Sequence, residues 1–85
     1  MSGKKNVAIL GSTGTIGTQT LEVIRSHPEK FQVEVLTAQN NADLLIRQAI
    51  DFQPNCVVIA NESLYEKLRD VFLPLGIKVF AGEKA

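Results

Sequence analysis

One cysteine in 85 residues excludes an internal disulfide framework. Cys56 stands in the apolar run Cys56–Ala60, where a thiol serves as a small buried hydrophobe. There is no block of like charge either. Nine basic residues balance nine acidic ones, so nothing points to nucleic acid or an acidic membrane surface as a partner. No run approaches the ~20 apolar residues that a membrane-spanning helix needs. The early apolar run Val7–Leu10 leads straight into glycines, so no secretory leader is expected and the chain reads as cytoplasmic. Reactive side chains are sparse as well. No G-x-S-x-G elbow occurs, and no lysine follows the glycines as ATP hydrolysis would require. The single histidine, His27, sits in Ser-His-Pro-Glu at a predicted helix end, the place of a solvated cation rather than a base. The carboxylates are scattered over polar faces, with no spacing suited to a metal or an acid–base pair. No catalytic or metal-binding role is therefore assigned within this chain, which alone is expected to be inactive.

What is present is concentrated between Val7 and Gly17. The stretch reads Val-Ala-Ile-Leu-Gly-Ser-Thr-Gly-Thr-Ile-Gly, an aliphatic run ending in Gly11, Gly14 and Gly17. The run suits a buried parallel strand. Gly11 permits a tight turn, Gly14 lets the backbone approach a bulky anion, and Gly17 permits close packing of the next helix on the strand. The N–H groups around Thr13–Ile16 open that helix without intrahelical partners, and the helix dipole adds partial positive charge. A pyrophosphate is the natural occupant. The spacing is G-x-x-G-x-x-G, a variant of the dinucleotide fingerprint, and it gains weight from the strand before it and the helix after it.

Strand and helix alternate along the rest of the chain. Strands are predicted at Asn6–Leu10, Gln32–Ala38, Cys56–Ala60 and Ile77–Phe80. A first helix spans about Thr15–Ser26, with Ile16, Thr20, Val23, Ile24 and His27 on one stripe, and stops before Pro28. A second spans Ala42–Phe52, capped by Asn41, with Leu45, Ile46, Ala49 and Ile50 recurring at helical spacing. Asn61 caps a third, in which Leu64, Leu68, Val71 and Phe72 share a face. This βαβαβαβ order specifies an α/β fold: a Rossmann-like parallel sheet with right-handed crossovers. Crossovers that step in one direction put their helices on one face of the sheet. The apolar residues on its other face then lack a cover, which in doubly wound folds comes from the second half of the domain. The expectation is one domain, residues 1–85, forming the first half of a dinucleotide-binding domain. The bare face favours self-association or a homodimer.

In an NAD-type site a carboxylate about twenty residues beyond the glycines holds the adenine ribose. The tip here reads Thr37-Ala38-Gln39-Asn40-Asn41, with no acid. A ribose 2′-phosphate is therefore permitted. Gln39, Asn40 and Asn41 can donate amide hydrogen bonds to it, although turn formation and helix capping explain the asparagine pair equally well. Arg47 lies further along the second helix and reaches the tip only if that helix is favourably turned.

Ile9–Gly17 followed by Thr20–Arg25 resembles the N-terminus of the 1-deoxy-D-xylulose 5-phosphate reductoisomerase family. His27-Pro28-Glu29-Lys30-Phe31-Gln32-Val33 is similar to that family's link into its second strand. Ala38 with Asn41 is similar to its cofactor loop, and Phe52-Gln53-Pro54 to its approach to the third strand. The resemblance covers nearly the whole chain but only the opening part of the family's longer one. It implies a parent enzyme that uses NADPH and a divalent metal, magnesium or manganese, to rearrange and reduce 1-deoxy-D-xylulose 5-phosphate to 2-C-methyl-D-erythritol 4-phosphate. That step belongs to non-mevalonate isoprenoid biosynthesis. By this resemblance Thr13, Gly14, Thr15 and Ile16 contact the cofactor phosphates, while Gln39, Asn40 and Asn41 approach the adenosine ribose and its phosphate. The metal and substrate ligands lie outside this chain. The commoner family loop has Gly-Lys-Asn where Gln39-Asn40-Asn41 stands, so an obvious lysine partner for the 2′-phosphate is missing.

Two other readings stay open on the sequence. One is the cofactor half of another reductase with the same glycine turn, of the aspartate-semialdehyde dehydrogenase type. The other is a non-catalytic nucleotide-binding module, for which the strand residues on the uncovered face should be polar. Those of Val7–Leu10 and Cys56–Ala60 are not.

Overall fold

A computed structural model describes residues 3–82. Four strands alternate with three helices: β1 (Lys5–Ile9), α1 (Thr15–Arg25), β2 (Phe31–Ala38), α2 (Ala42–Phe52), β3 (Cys56–Ile59), α3 (Tyr65–Phe72) and β4 (Lys78–Ala81). The predicted bounds of the strands and of α1 and α2 agree with these to within one residue at either end. Asn61 does begin the third helical segment, its side chain accepting from the Ser63 N–H at 3.0 Å. That segment opens with a 3₁₀ turn, Glu62–Leu64, before α3 proper. Asn41 caps α2 by accepting from the Leu44 N–H at 3.2 Å.

The strands pair in parallel in the order β1-β2-β3-β4. Each crossover moves one place in the same direction, so right-handed connections leave all three helices on one face. Burial agrees with this. Val33, Leu36 and Ala38 of β2 and Val57 and Ile59 of β3 form one core with Leu21 and Ile24 of α1, Leu45 and Ala49 of α2, and Leu68 and Phe72 of α3. The register between β1 and β2 shifts, with Val7 opposite Val33 but Ala8 opposite Val35. Glu34 is the extra residue of this bulge, which lets Val33 and Leu36, three apart, both face the core.

On the opposite face Ala8, Val35, Cys56 and Lys78 stand in one cross-strand row and Thr37, Val58 and Phe80 in the next. Leu10 and Phe80 are 77% and 47% exposed. This is the uncovered face expected from the topology, and α3 packs with the other helices rather than across it.

The predicted stripe of α1 needs correction. Of that stripe Ile24 is buried as expected, but Ile16 and Val23 are 77% and 58% exposed, and Gly17 and Leu21 are buried in their place. Gly17 sets this rotation. A Cβ there would lie 2.7 Å from Ser12 Cα and closer still to the Gly11 carbonyl oxygen. Only the glycine edge of the helix can lie against the turn, and that carries Leu21 and Ile24 inward. Hydropathy alone favoured the bulkier Ile16 and Val23, which point away from the sheet.

Candidate functional site

β1 delivers the chain to the carboxyl end of the sheet, the end at which open α/β sheets bind ligands. Gly11 turns there with φ 70°, a backbone conformation that glycine adopts freely. The loop is tied to β2 at once. The Gly11 N–H donates to Thr37 Oγ1 at 2.8 Å, and the Ser12 N–H donates to the Thr37 carbonyl at 2.8 Å. The Gly14 N–H closes the turn onto the Gly11 carbonyl at 3.0 Å, and Thr18 makes the first intrahelical bond, to the Gly14 carbonyl at 2.9 Å. The amides of Thr13, Thr15, Ile16 and Gly17 are left without a backbone partner among the described residues. They sit at the positive end of α1, whose first turn carries no acidic side chain. Gly14 is exposed, and a Cβ on it would meet only the Gly11 carbonyl oxygen, at 3.4 Å. An anion can therefore come close to the backbone at this point, and the arrangement fits a pyrophosphate.

The tip of β2 is the second part of the candidate site. Gln39, Asn40 and Asn41 are all exposed. The Asn61 N–H donates to the Gln39 carbonyl at 3.0 Å, and Asn61 Nδ2 donates to Asn40 Oδ1 at 3.0 Å. With its oxygen engaged, the Asn40 carboxamide has its NH₂ left to offer a ligand. Asn41 spends its oxygen on the α2 cap and keeps its NH₂ too. A hollow of about 490 Å³ between the two parts is lined by Leu10, Gly11, Thr37, Gln39, Val58 and Ala60. A second, of about 250 Å³, lies between Gln39, Asn40, Ala60 and Asn61. Both predicted groups thus share the carboxyl edge of the sheet. Thr13, Gly14, Thr15 and Ile16 follow Gly11 along the loop without lining either hollow. Arg47 is not brought to the tip; it lines the groove between α1 and α2 with Thr18 and Glu22.

Among the described residues no titratable side chain lines either hollow. The Lys67 ammonium, 2.9 Å from Asp43, holds that carboxyl below the usual carboxylate range. Burial first, then the Glu34 charge, pushes the Cys56 thiol up, which disfavours the thiolate. Among the described residues no group of three His, Cys, Asp or Glu side chains comes together to hold a metal. A further hollow, of about 220 Å³ and lined by Ile24, Phe31 and Phe52, lies at the amino end of the strands. The hydrogen bonds around the glycine loop include partners that the sequence pattern did not single out. Thr37 holds the loop from β2. Gln48 of α2, buried, reaches back to donate its Nε2 to the Ser12 carbonyl at 2.7 Å. The one signal for Gln48 was a polar residue on an apolar stripe, between Leu45 and Phe52.

Comparison with known proteins agrees with this geometry. A sequence model described as 1-deoxy-D-xylulose 5-phosphate reductoisomerase matches residues 7–85. The reductoisomerase of Porphyromonas gingivalis is 55% identical over 82 residues, and that of Bacteroides fragilis 56% identical over 82. Each alignment takes in 96% of this chain but 21% of the relative, so the chain spans about a fifth of the length of these curated proteins. Among solved structures, the Zymomonas mobilis reductoisomerase in complex with NADPH superposes with a TM-score of 0.90 at 35% identity, over 96% of this chain and 22% of that one. A reductoisomerase in complex with NADPH, fosmidomycin and magnesium gives a TM-score of 0.87 at 29% identity, over 94% of this chain and 20% of that one. On the strength of the glycine loop, the parallel sheet and a family match across nearly its whole length, the chain belongs to the 1-deoxy-D-xylulose 5-phosphate reductoisomerase family.

Proposed function

We propose that residues 1–85 are the N-terminal part of the NADPH-binding domain of a reductoisomerase that converts 1-deoxy-D-xylulose 5-phosphate to 2-C-methyl-D-erythritol 4-phosphate. The observation that carries this reading is the set of unpartnered amides at Thr13, Thr15 and Ile16 beside the exposed backbone of Gly14, at the carboxyl end of a parallel sheet. In this assignment Thr13, Gly14, Thr15 and Ile16 hold the pyrophosphate. Gln39, Asn40 and Asn41 hold the adenosine ribose and its 2′-phosphate through neutral amide donors. The bound cofactor supplies the hydride. This segment supplies its grip and orientation, and the residues that bind metal and substrate come from elsewhere in the enzyme, which we place in the cytoplasm. The neighbour solved with NADPH supports the cofactor, and the neighbours solved with magnesium support the metal.

The test is NADPH oxidation dependent on 1-deoxy-D-xylulose 5-phosphate and manganese or magnesium. The full-length chain carrying this segment should turn over, and residues 1–85 alone should match a blank without protein. A full-length chain that binds neither NADPH nor substrate would refute the assignment.

A further inference from the structure

Gln48 is 7% exposed and lies between Leu45 and Ala49 on the buried side of α2. Among the described residues its Oε1 has no hydrogen-bond partner. A buried acceptor left unmatched opposes folding, and a methionine would fill similar space without that penalty. The bond gained in exchange is the one from Nε2 to the Ser12 carbonyl, at 2.7 Å, within a residue that is itself fully buried.

The peptide joining Ser12 to Thr13 is planar and trans, so its C=O and N–H point in opposite directions. Drawing the Ser12 carbonyl inward to Gln48 turns the Thr13 N–H outward, toward the open side of the loop. The same bond withdraws a carbonyl dipole from a place where a pyrophosphate would be repelled. The preceding peptide is fixed in a matching way: its N–H goes to the Thr37 carbonyl and its C=O takes the Gly14 N–H. We propose that Gln48 is a positioning residue for the cofactor pyrophosphate, fixing the Ser12–Thr13 peptide so that the Thr13 amide faces the anion. The proposal rests on the NADPH reading of the glycine loop. It also links that loop to α2, the helix whose cap, Asn41, belongs to the ribose end of the site.

The test is Gln48→Met in the full-length chain carrying this segment. The substitution orphans the Ser12 carbonyl but removes the orphaned Oε1, so one unmade bond replaces another and the melting temperature should stay within a few degrees. The Kd for NADPH, followed by its fluorescence, should rise about tenfold, equivalent to ~1.4 kcal/mol. KM for NADPH should rise with it, while kcat at saturating NADPH holds. A lowered melting temperature with unchanged Kd would make Gln48 a buttress of the fold and overturn the proposal. Wild-type protein that fails to bind NADPH would remove the cofactor reading itself, whereas binding that is equal in wild type and variant would remove the role of Gln48 alone. Should the methionine variant not fold, Gln48→Glu serves. Its protonated carboxyl can donate to the Ser12 carbonyl and its ionised form cannot, so the variant-to-wild-type Kd ratio should climb with pH. A ratio independent of pH would overturn the proposal.

Discussion

Gly17→Ala sets two effects of opposite sign against each other. Inside a helix, alanine is favoured over glycine by about 1 kcal/mol, so propensity alone predicts a more stable protein. The added Cβ, however, would stand 2.7 Å from Ser12 Cα and nearer still to the Gly11 carbonyl oxygen. Ordinary carbon contacts lie at about 3.5–4.0 Å, so α1 would have to retreat by roughly 1 Å. The obstructing atoms are backbone, held by bonds to Thr37 and Gln48, and cannot swing aside as a side chain would. Retreat of α1 also loosens Leu21 and Ile24 against the sheet. Overpacking of this kind costs about 1–3 kcal/mol, and the backbone obstruction puts it at the upper end. Against the gain in propensity, the net loss is about 2 kcal/mol. A domain of this size shifts by roughly 4–8 °C per kcal/mol, so the melting temperature should fall by about 8–16 °C. Circular dichroism melts and urea titrations of the two proteins, side by side, measure it. An alanine variant as stable as the wild type, or more so, would refute the steric argument and leave Gly17 without a structural reason.

Gly14 should behave in the opposite manner. With only the Gly11 carbonyl oxygen near its Cβ position, at 3.4 Å, Gly14→Val should keep the fold but lose NADPH binding by tenfold or more; unchanged affinity would mean that the loop is merely a turn. Asn40→Asp should shift preference from NADPH toward NADH, because a carboxylate repels a 2′-phosphate and accepts from a 2′-hydroxyl, and Asn40→Lys should do the reverse. An unaltered ratio of the two affinities would remove residues 39–41 from the ribose site. The 85-residue chain alone should self-associate through the face bearing Leu10, Val58 and Phe80, and light scattering over a concentration series should show Leu10→Lys with Phe80→Lys reducing it; a compact monomer that binds no hydrophobic dye would contradict this. Asp43 has a depressed pKa in the folded state, so its contribution to stability is complete above the ordinary carboxylate range and is lost as pH falls through that depressed value. Asp43→Asn should flatten that part of the acid-unfolding curve, and an identical curve would show that its pairing with Lys67 has no effect.

The strand and helix order was legible because each element carries its own local signal. β3 is a short apolar run, α2 has an asparagine cap and a proline stop, and the glycine turn is punctuated by three residues at fixed spacing. The rotation of α1 was not legible from hydropathy, since Ile16 and Val23 outweigh Gly17 in any apolar count. What decides the rotation is a steric contact between Gly17 and a turn brought near it only by folding. The β2 bulge at Glu34 was hidden for a similar reason: it lies in the register between β1 and β2, which only folding sets. Within the candidate site, the place of the glycine loop and of the tip at residues 39–41 at the carboxyl edge of the sheet could be read from spacing. Gln48 could not, because its partner, the Ser12 carbonyl, is a backbone atom 36 residues away with no side-chain signature. Asn61 was legible as a cap, while its bond to Asn40 depends on the pairing of β2 with β3.

Cocrystallisation of the full-length chain with NADPH shows directly whether the glycine loop holds the cofactor. The pyrophosphate should lie on the amides of Thr13, Thr15 and Ile16, against the backbone of Gly14, with the 2′-phosphate beside the carboxamides of Asn40 and Asn41. A cofactor bound away from the carboxyl end of β1, or a glycine loop left empty at saturating NADPH, would contradict it.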